Sequence, residues 1–284
     1  MERHVVLRSP LVVALLLLLA GCLGGSPDGD EEGVLAPGPV LDLPRFQGPC
    51  DNALLFQFVD YSATDPYLPP GFHPSDAKNF LTISPVAFGQ AAVLFIVVSC
   101  QDALGQNYTA GSLDIFIEPP FVPDLVPARF NFYELERYGD AGPLAETLAA
   151  AGWPMPPGSI VVSPTDDALD GADVVGGSVV DNHGELVNMS GVAAAKVDLG
   201  LAKIRFWHQG PTGLGYVEYE ANLDSVAGPG SCAVRPGTAL AAFIASPLLP
   251  SLPIACPPGD PVVATFPLLQ MNVTAQFLAG VQAG

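Results

Sequence analysis

The 284-residue chain carries 29 acidic against 10 basic residues, a formal net charge of −19, and is 49% hydrophobic but only 14% charged. A surface this acidic repels polyanions, and no basic stripe or RNA-binding motif interrupts it, so nucleic acid is excluded as a partner. A charged fraction well under the ~25% of ordinary domains, with 30 glycines and 30 prolines, describes short buried strands joined by tight turns and leaves little for long surface helices.

Residues 1–21 read as an export signal. Arg3 and Arg8 give a basic start and residues 11–19 an apolar core of signal-peptide length, shorter than the ~20 residues a membrane-spanning helix needs. Leu19-Ala20-Gly21-Cys22 sets small residues before a cysteine and resembles a prokaryotic lipobox, in which the Cys22 thiol would be lipidated and become the first residue of the mature chain. The expected localisation is extracytoplasmic, with the lipid bilayer as partner through the Cys22 anchor. Residues 22–44 follow as an acidic Gly/Pro-rich tether, because a stretch holding Asp28, Asp30, Glu31 and Glu32 without apolar periodicity buries too little surface to order itself. Residues 45–284 are expected to form a single disulfide-bonded β domain, since barrels and sandwiches commonly fill such a length as one unit.

With Cys22 lipidated, Cys50, Cys100, Cys232 and Cys256 remain, an even number that in an exported chain suggests disulfides. Three pairings are open. The nearest-neighbour one, Cys50 with Cys100 and Cys232 with Cys256, closes loops of about 50 and 25 residues, each worth roughly 3.5–4 kcal/mol in the chain-entropy account. Zinc is disfavoured because no two cysteines lie within a few residues of each other and none has a histidine at ligand spacing. No metal and no cofactor is expected. Asn107-Tyr108-Thr109, Asn188-Met189-Ser190 and Asn272-Val273-Thr274 fit the glycosylation pattern and mark exposed loops at most.

From Cys50 the chain reads as strands. Residues 53–60 open the domain, and four prolines with a glycine over 66–74 break it. Ser75 is placed to cap a short helix through residue 80. Residues 86–99 follow as an apolar run whose Val/Ile content and Gly89 favour a strand buried on both faces over a buried helix. Residues 112–118 alternate Leu113, Ile115 and Ile117 against Asp114, Phe116 and Glu118 until Pro119 and Pro120 end the strand. Residues 129–138 form the next strand, with Glu134 and Glu136 on one face of it. Pro143 then starts a helix over 143–151 and Gly152 stops it. After Trp153-Pro154-Met155-Pro156 another strand spans 159–163.

The order of these elements, with Leu68-Pro69-Pro70-Gly71-Phe72, Leu104-Gly105-Gln106-Asn107-Tyr108-Thr109 leading into a strand, and the helix before Trp153-Pro154, resembles the acetoacetate decarboxylase-like family. The resemblance implies an antiparallel β-barrel or cone around an apolar cavity, with Tyr108, Trp153 and Met155 as ligand contacts. It also implies where catalytic groups would stand. The family's enzymes form a Schiff base on one of two adjacent lysines after an aromatic-proline step, where this chain has Met155 and Pro156. They carry a glutamate near Tyr108-Thr109, where this chain continues Ala110-Gly111. Both departures remove reactive groups and argue against decarboxylation. The residues agree: Lys78, Lys196 and Lys203 are the only lysines and none adjoins another.

Beyond the helix, residues 174–180 and 185–189 flank the polar turn Asp181-Asn182-His183-Gly184, and residues 203–208 and 214–223 flank Gly210-Pro211-Thr212-Gly213. His208, Tyr216 and Tyr219 in the second hairpin are candidate ligand groups, with Arg205 for a carboxylate. No Gly-x-Ser-x-Gly elbow indicates a hydrolase, and no catalytic residue is assigned. Pro247, Pro250 and Pro253 forbid a membrane span over 239–256, which reads as a loop over the core. Residues 262–278 supply the last strand or two, expected to pair with an early strand and hide both sheet edges.

The expected fold is mainly β (α+β), an antiparallel barrel or cone with one or two short helices, with a β-sandwich as the alternative. The expected function is a lipid-anchored, non-catalytic binder of a small apolar or carboxylated molecule. The alternatives are an adhesive or structural domain without a pocket, and a decarboxylase-like Schiff-base enzyme.

Overall fold

Apolar runs too β-branched for helices become sixteen strands in the computed structural model, which describes residues 37–42, 46–79, 89–102, 107–118, 128–139, 143–150, 155–162, 173–210, 213–244, 254–255, 262–265 and 272–278. Cys22, Trp153 and Cys256 lie outside these. In chain order the strands are β1 (Pro37–Asp42), β2 (Phe46–Asp60), β3 (His73–Pro74), β4 (Gln90–Asp102), β5 (Asn107–Glu118), β6 (Phe130–Gly139), β7 (Ser159–Val162) and β8 (Asp173–Asp181). There follow β9 (Gly184–Ala193), β10 (Ala195–Val197), β11 (Leu201–Gly210), β12 (Gly213–Asn222), β13 (Ser225–Val234), β14 (Ile254–Ala255), β15 (Val262–Thr265) and β16 (Asn272–Leu278). Short helices are α1 (Tyr61–Thr64), α2 (Pro143–Ala150) and α3 (Ala239–Ile244), and the segment expected to form a helix after Ser75 is a 3-10 turn, Ala77–Asn79. β1 lies within the stretch read as tether, where Val40 and Leu41 pair with Gln276 and Ala275 of β16. Residues 36–284 form one compact unit.

Thirteen of the strands follow one path, β1-β16-β12-β11-β6-β5-β4-β2-β15-β13-β9-β8-β7, with β3 paired to β5 and β10 and β14 to β13 beside it, and the sheet curls into a half-barrel. Pairing is antiparallel except between β6 and β11. β15 pairs with β2 and β16 with β1, so the tail meets early strands as expected; the path nonetheless keeps two ends among the described residues, β1 and β7.

β13 serves two parts of the sheet. Its first half pairs with β10 and β15, its second with β9 and β14, which turns the chain into a wing of β13, β9, β8 and β7. The bend brings backbones close: a Cβ on Gly228 would stand 1.9 Å from the Val192 carbonyl oxygen. The wing lays Val175, Val179, Val187 and Met189, all buried, over the outer face of β4 and β5. Gly177 allows the approach, since a Cβ there would meet Val97 Cγ2 at 2.4 Å.

β4 is therefore buried on both faces, as its unbroken apolar run implied. Val93, Phe95 and Val97 face the wing, while Ala92 and Leu94 face the half-barrel interior. On the outer face of β6 and β11, Phe72 packs on Tyr133 and Trp207 with ring centroids 5.4 and 5.9 Å apart, forming a second apolar cluster.

Candidate functional site

The interior of the half-barrel is filled at one end and open at the other. Phe116, Phe130, Phe132 and Phe206 pack together in the filled part, with Phe132 stacked on Phe206 at 5.3 Å. Further along the same strands the inward positions shrink to Ala110 and Ser112 on β5, with the backbone of Gly111 between them, and Ala221 on β12. A cavity of about 110 Å³ remains there. Leu54, Leu94, Ile96, Phe206 and Leu223 give it apolar walls, and Asn52, Ser112, Arg137 and Tyr219 supply its polar groups.

A one-residue irregularity creates the polar end. In the β5–β6 ladder Leu113 pairs with Glu136 but Asp114 pairs with Glu134, so Leu135 is an extra residue on β6. A bulge of this kind reverses the alternation of faces. Glu134 and Arg137, three apart, thus both point inward. Glu136, expected on the same face as Glu134, points outward and accepts a hydrogen bond from the Tyr138 hydroxyl at 2.7 Å.

Arg137 Nε donates to Glu134 Oε2 at 2.6 Å, and Nη2 lies 2.5 Å from the same oxygen. Both side chains are buried, 9% and 1% exposed. Asp114, fully buried and directly opposite Glu134, accepts a hydrogen bond from Ser112 Oγ at 2.6 Å. Two carboxylates this close in a poorly solvated site cannot both ionise. Burial, with Glu134 adding repulsion, holds the Asp114 carboxyl well above the usual range. Burial also raises Glu134, against the pull of Arg137. Asp114 is thus the carboxyl of the two that holds a proton more readily, and Glu134 is the carboxylate partner of Arg137. Asp114 Oδ1 and Glu134 Oε1 are buried without a hydrogen-bond partner among the described residues.

His208 Nδ1 lies 3.9 Å from Glu134 Oε1. Burial and the nearby Arg137 charge push the imidazole down to about 4, so it is neutral at pH 7. Tyr219, whose phenol burial holds above its ordinary value, packs edge-on against Phe206 at 5.4 Å. The described cluster therefore sets the Arg137–Glu134 ion pair beside a carboxyl that burial biases towards its neutral form, a neutral imidazole and a phenol.

Of the six expected ligand contacts Trp153 lies outside the described residues, and the other five do not share one site. Met155 lines the cavity. Tyr108 packs on the adjoining core without lining it. His208 is half-buried beside Glu134. Arg205 and Tyr216 lie on the opposite faces of β11 and β12. There Arg205 is held by Glu218 at 2.8 and 2.7 Å and its guanidinium sits 4.9 Å from the Tyr216 ring. Arg205 is thus occupied as a structural ion pair on the face away from the cavity. Tyr219, also singled out in the sequence, does line it. Arg137, Ser112 and Asn52 were missed, and the signal that could have found Arg137 is the spacing Glu134-Leu135-Glu136-Arg137, which places opposite charges inward only if the strand is bulged.

Fold and site together define a cavity-bearing half-barrel with a buried ion pair at one wall. No protein-family model matches the sequence, and no curated protein aligns with it. Among solved structures, the enduracididine biosynthesis enzyme MppR with HEPES buffer bound aligns at TM-score 0.51 and 15% identity, over 91% of each chain. MppR complexed with pyruvate aligns at TM-score 0.50 and 14% identity, over 92% of this chain and 96% of that one. An acetoacetate decarboxylase-like enzyme from Sphingomonas wittichii RW1 aligns at TM-score 0.48 and 12% identity, over 90% of this chain and 100% of that one. The chain has the fold of MppR, an acetoacetate decarboxylase-like enzyme, and at this identity the likeness concerns architecture alone.

Proposed function

We propose that the chain binds a small molecule in the half-barrel cavity, with an apolar body against Leu54, Leu94 and Phe206 and one polar end at Arg137. The observation that carries this reading is the cavity itself: largely apolar walls with Arg137, held by the buried Glu134, as the cation among the described lining residues. Its size is of the order of the ~150 Å³ apolar cavity that admits benzene, so the ligand has about six non-hydrogen atoms. A pocketless adhesive domain would have no use for such an interior.

Chemistry through a Schiff base lacks its amine among the described lining residues. Met155 occupies the wall where the resemblance would place a lysine, Lys203 is paired with Glu218 at 3.0 Å on the outer face, and Lys196 is exposed on β10. MppR is nonetheless an enzyme solved with pyruvate and with a condensation product of pyruvate, which makes pyruvate the first probe. Borohydride reduction with pyruvate is expected to leave every lysine unmodified; a lysine adduct would support the enzyme reading instead.

Binding is expected in native mass spectrometry as a mass shift with pyruvate or butyrate. Ala221→Leu, which fills the cavity at a fully buried position, is expected to weaken that binding at least tenfold while leaving the fold's cooperative melting intact. Equal binding by the variant would move the ligand out of the cavity.

The reading places the domain outside the cytoplasm on a lipid anchor at Cys22. Support comes from the Cys50–Cys100 disulfide and the disulfide-bonded state of Cys232, bonds that persist in oxidising compartments. Cys22→Ser is expected to shift the protein from the membrane fraction to the soluble one; unchanged membrane association would rule out that anchor.

A further inference from the structure

The ion pair at the cavity wall restricts which polar end can bind. Arg137 is the only cation among the described lining residues, and Glu134 already occupies its Nε and Nη2. The groups facing this pair come from four strands: Ser112 and Asp114 on β5, Glu134 and Arg137 on β6, His208 on β11 and Tyr219 on β12. None of the others is a second cation at neutral pH. A ligand carboxylate entering this site would therefore set a second negative charge beside Arg137, with Asp114 directly behind, among buried side chains where solvent screens it poorly.

One exchange removes the conflict. We infer that the cavity takes up a small monocarboxylic acid together with one proton: the ligand carboxylate replaces Glu134 on Arg137, and Glu134 becomes the neutral acid. No covalent bond forms or breaks, and the site's net charge is the same before and after. Glu134 is the group placed to receive the proton, because leaving Arg137 removes the interaction that keeps its carboxyl ionised and Asp114 faces it across the ladder. The inference rests on the cavity-binding reading above and adds the ligand class and the coupling.

Isothermal titration of the full-length protein with butyrate, pyruvate and the neutral amide butyramide tests both, across pH 6–9 and in two buffers of different ionisation enthalpy. Uptake of about one proton per butyrate is expected, with affinity falling about tenfold per pH unit, a slope that butyramide does not show. Glu134→Gln, which copies the neutral acid, is expected to flatten the slope and to bind butyrate at least tenfold more tightly than wild type at pH 8. Asp114→Asn and His208→Gln are expected to keep the slope. Binding of butyrate without proton uptake in the wild-type protein overturns the inference and leaves the cavity reading standing, and so does binding of butyramide alone. A slope lost in His208→Gln but kept in Glu134→Gln overturns the assignment to Glu134. Failure of all three compounds to bind overturns both readings. The proton count needs only the wild-type protein, so the outcome does not depend on a variant folding.

Discussion

Arg137→Met is expected to lower the free energy of unfolding by about 3–5 kcal/mol at pH 7, the usual loss when one member of a buried ion pair is removed and the other left behind. The residue left behind is unusually ill-placed. Glu134 is buried, its Oε1 has no partner among the described residues, and Asp114 stands directly opposite. Methionine restores much of the volume, so the loss reports the orphaned charge rather than a void. The double variant Glu134→Gln with Arg137→Met is expected to recover at least half of the loss, because no unpaired charge then remains. The pH dependence has a definite sign. A carboxyl raised in the folded state binds its proton more readily there than in the unfolded chain, so its stabilising protonation is lost as pH rises above the unfolded value of 4.5. Removing Arg137 raises the folded value further, and the gap between variant and wild type should therefore be wide at pH 8 and narrow at pH 5. Guanidinium denaturation at both values measures it; a gap that is the same at each would show that Glu134 is not the group responsible.

Replacing Cys50 and Cys100 together by alanine is expected to cost about 2–4 kcal/mol. The bond joins directly opposed residues of β2 and β4, with Cα atoms 4.2 Å apart, and closes a loop of sequence separation 50. For such a loop the chain-entropy account gives about 4 kcal/mol, and the rest of the β2–β4 ladder holds the native geometry whether or not the bond is present. The variant rather than a reductant is the proper comparison, because a reductant would also open the disulfide at Cys232. The same change should reach the cavity. Asn52 and Leu54 on β2 and Ile96 and Val98 on β4 line it, and the Asn52 amide donates to the Cys50 carbonyl at 3.3 Å. Butyrate affinity is expected to fall a fewfold together with stability. A loss of stability under about 1 kcal/mol would mean that the unfolded chain is already restricted near these residues.

Most of the strands were legible in the sequence because burial on one or both faces leaves a periodic or continuous apolar trace. The run through residues 91–98 implied a strand covered on both sides, and the wing supplies the second cover. Pro143 and Gly152 marked a helix that the structure places at Pro143–Ala150. The turn at residues 181–184 carries the Asp181 carboxylate that accepts from the His183 backbone N–H at 2.8 Å, and Gly184 at φ +104° supplies the backbone freedom. Such local signals act over a few residues and do not depend on what packs on them.

The polar site was not legible, and the reasons are specific. Arg205 and Tyr216 alternate with Ile204 and Val217 as strand residues should, but the sequence does not say which face closes around the interior. The pairing of β11 with β12 and β6 decides it, and puts Arg205 outside with Glu218. The Leu135 bulge reverses half of β6, so alternation counted along the strand assigned Glu134 and Glu136 to one face and could not bring Glu134 against Arg137. Strand content, and a barrel or sandwich as the fold class, were set by apolar patterning and turn chemistry, which are properties of the chain near each residue; the barrel or cone itself was what the family resemblance implied. Which carboxyls are buried face to face, and which arginine meets the cavity, followed from long-range pairing and a single extra residue, because desolvation and Coulomb interactions depend on neighbours that sequence distance does not reveal.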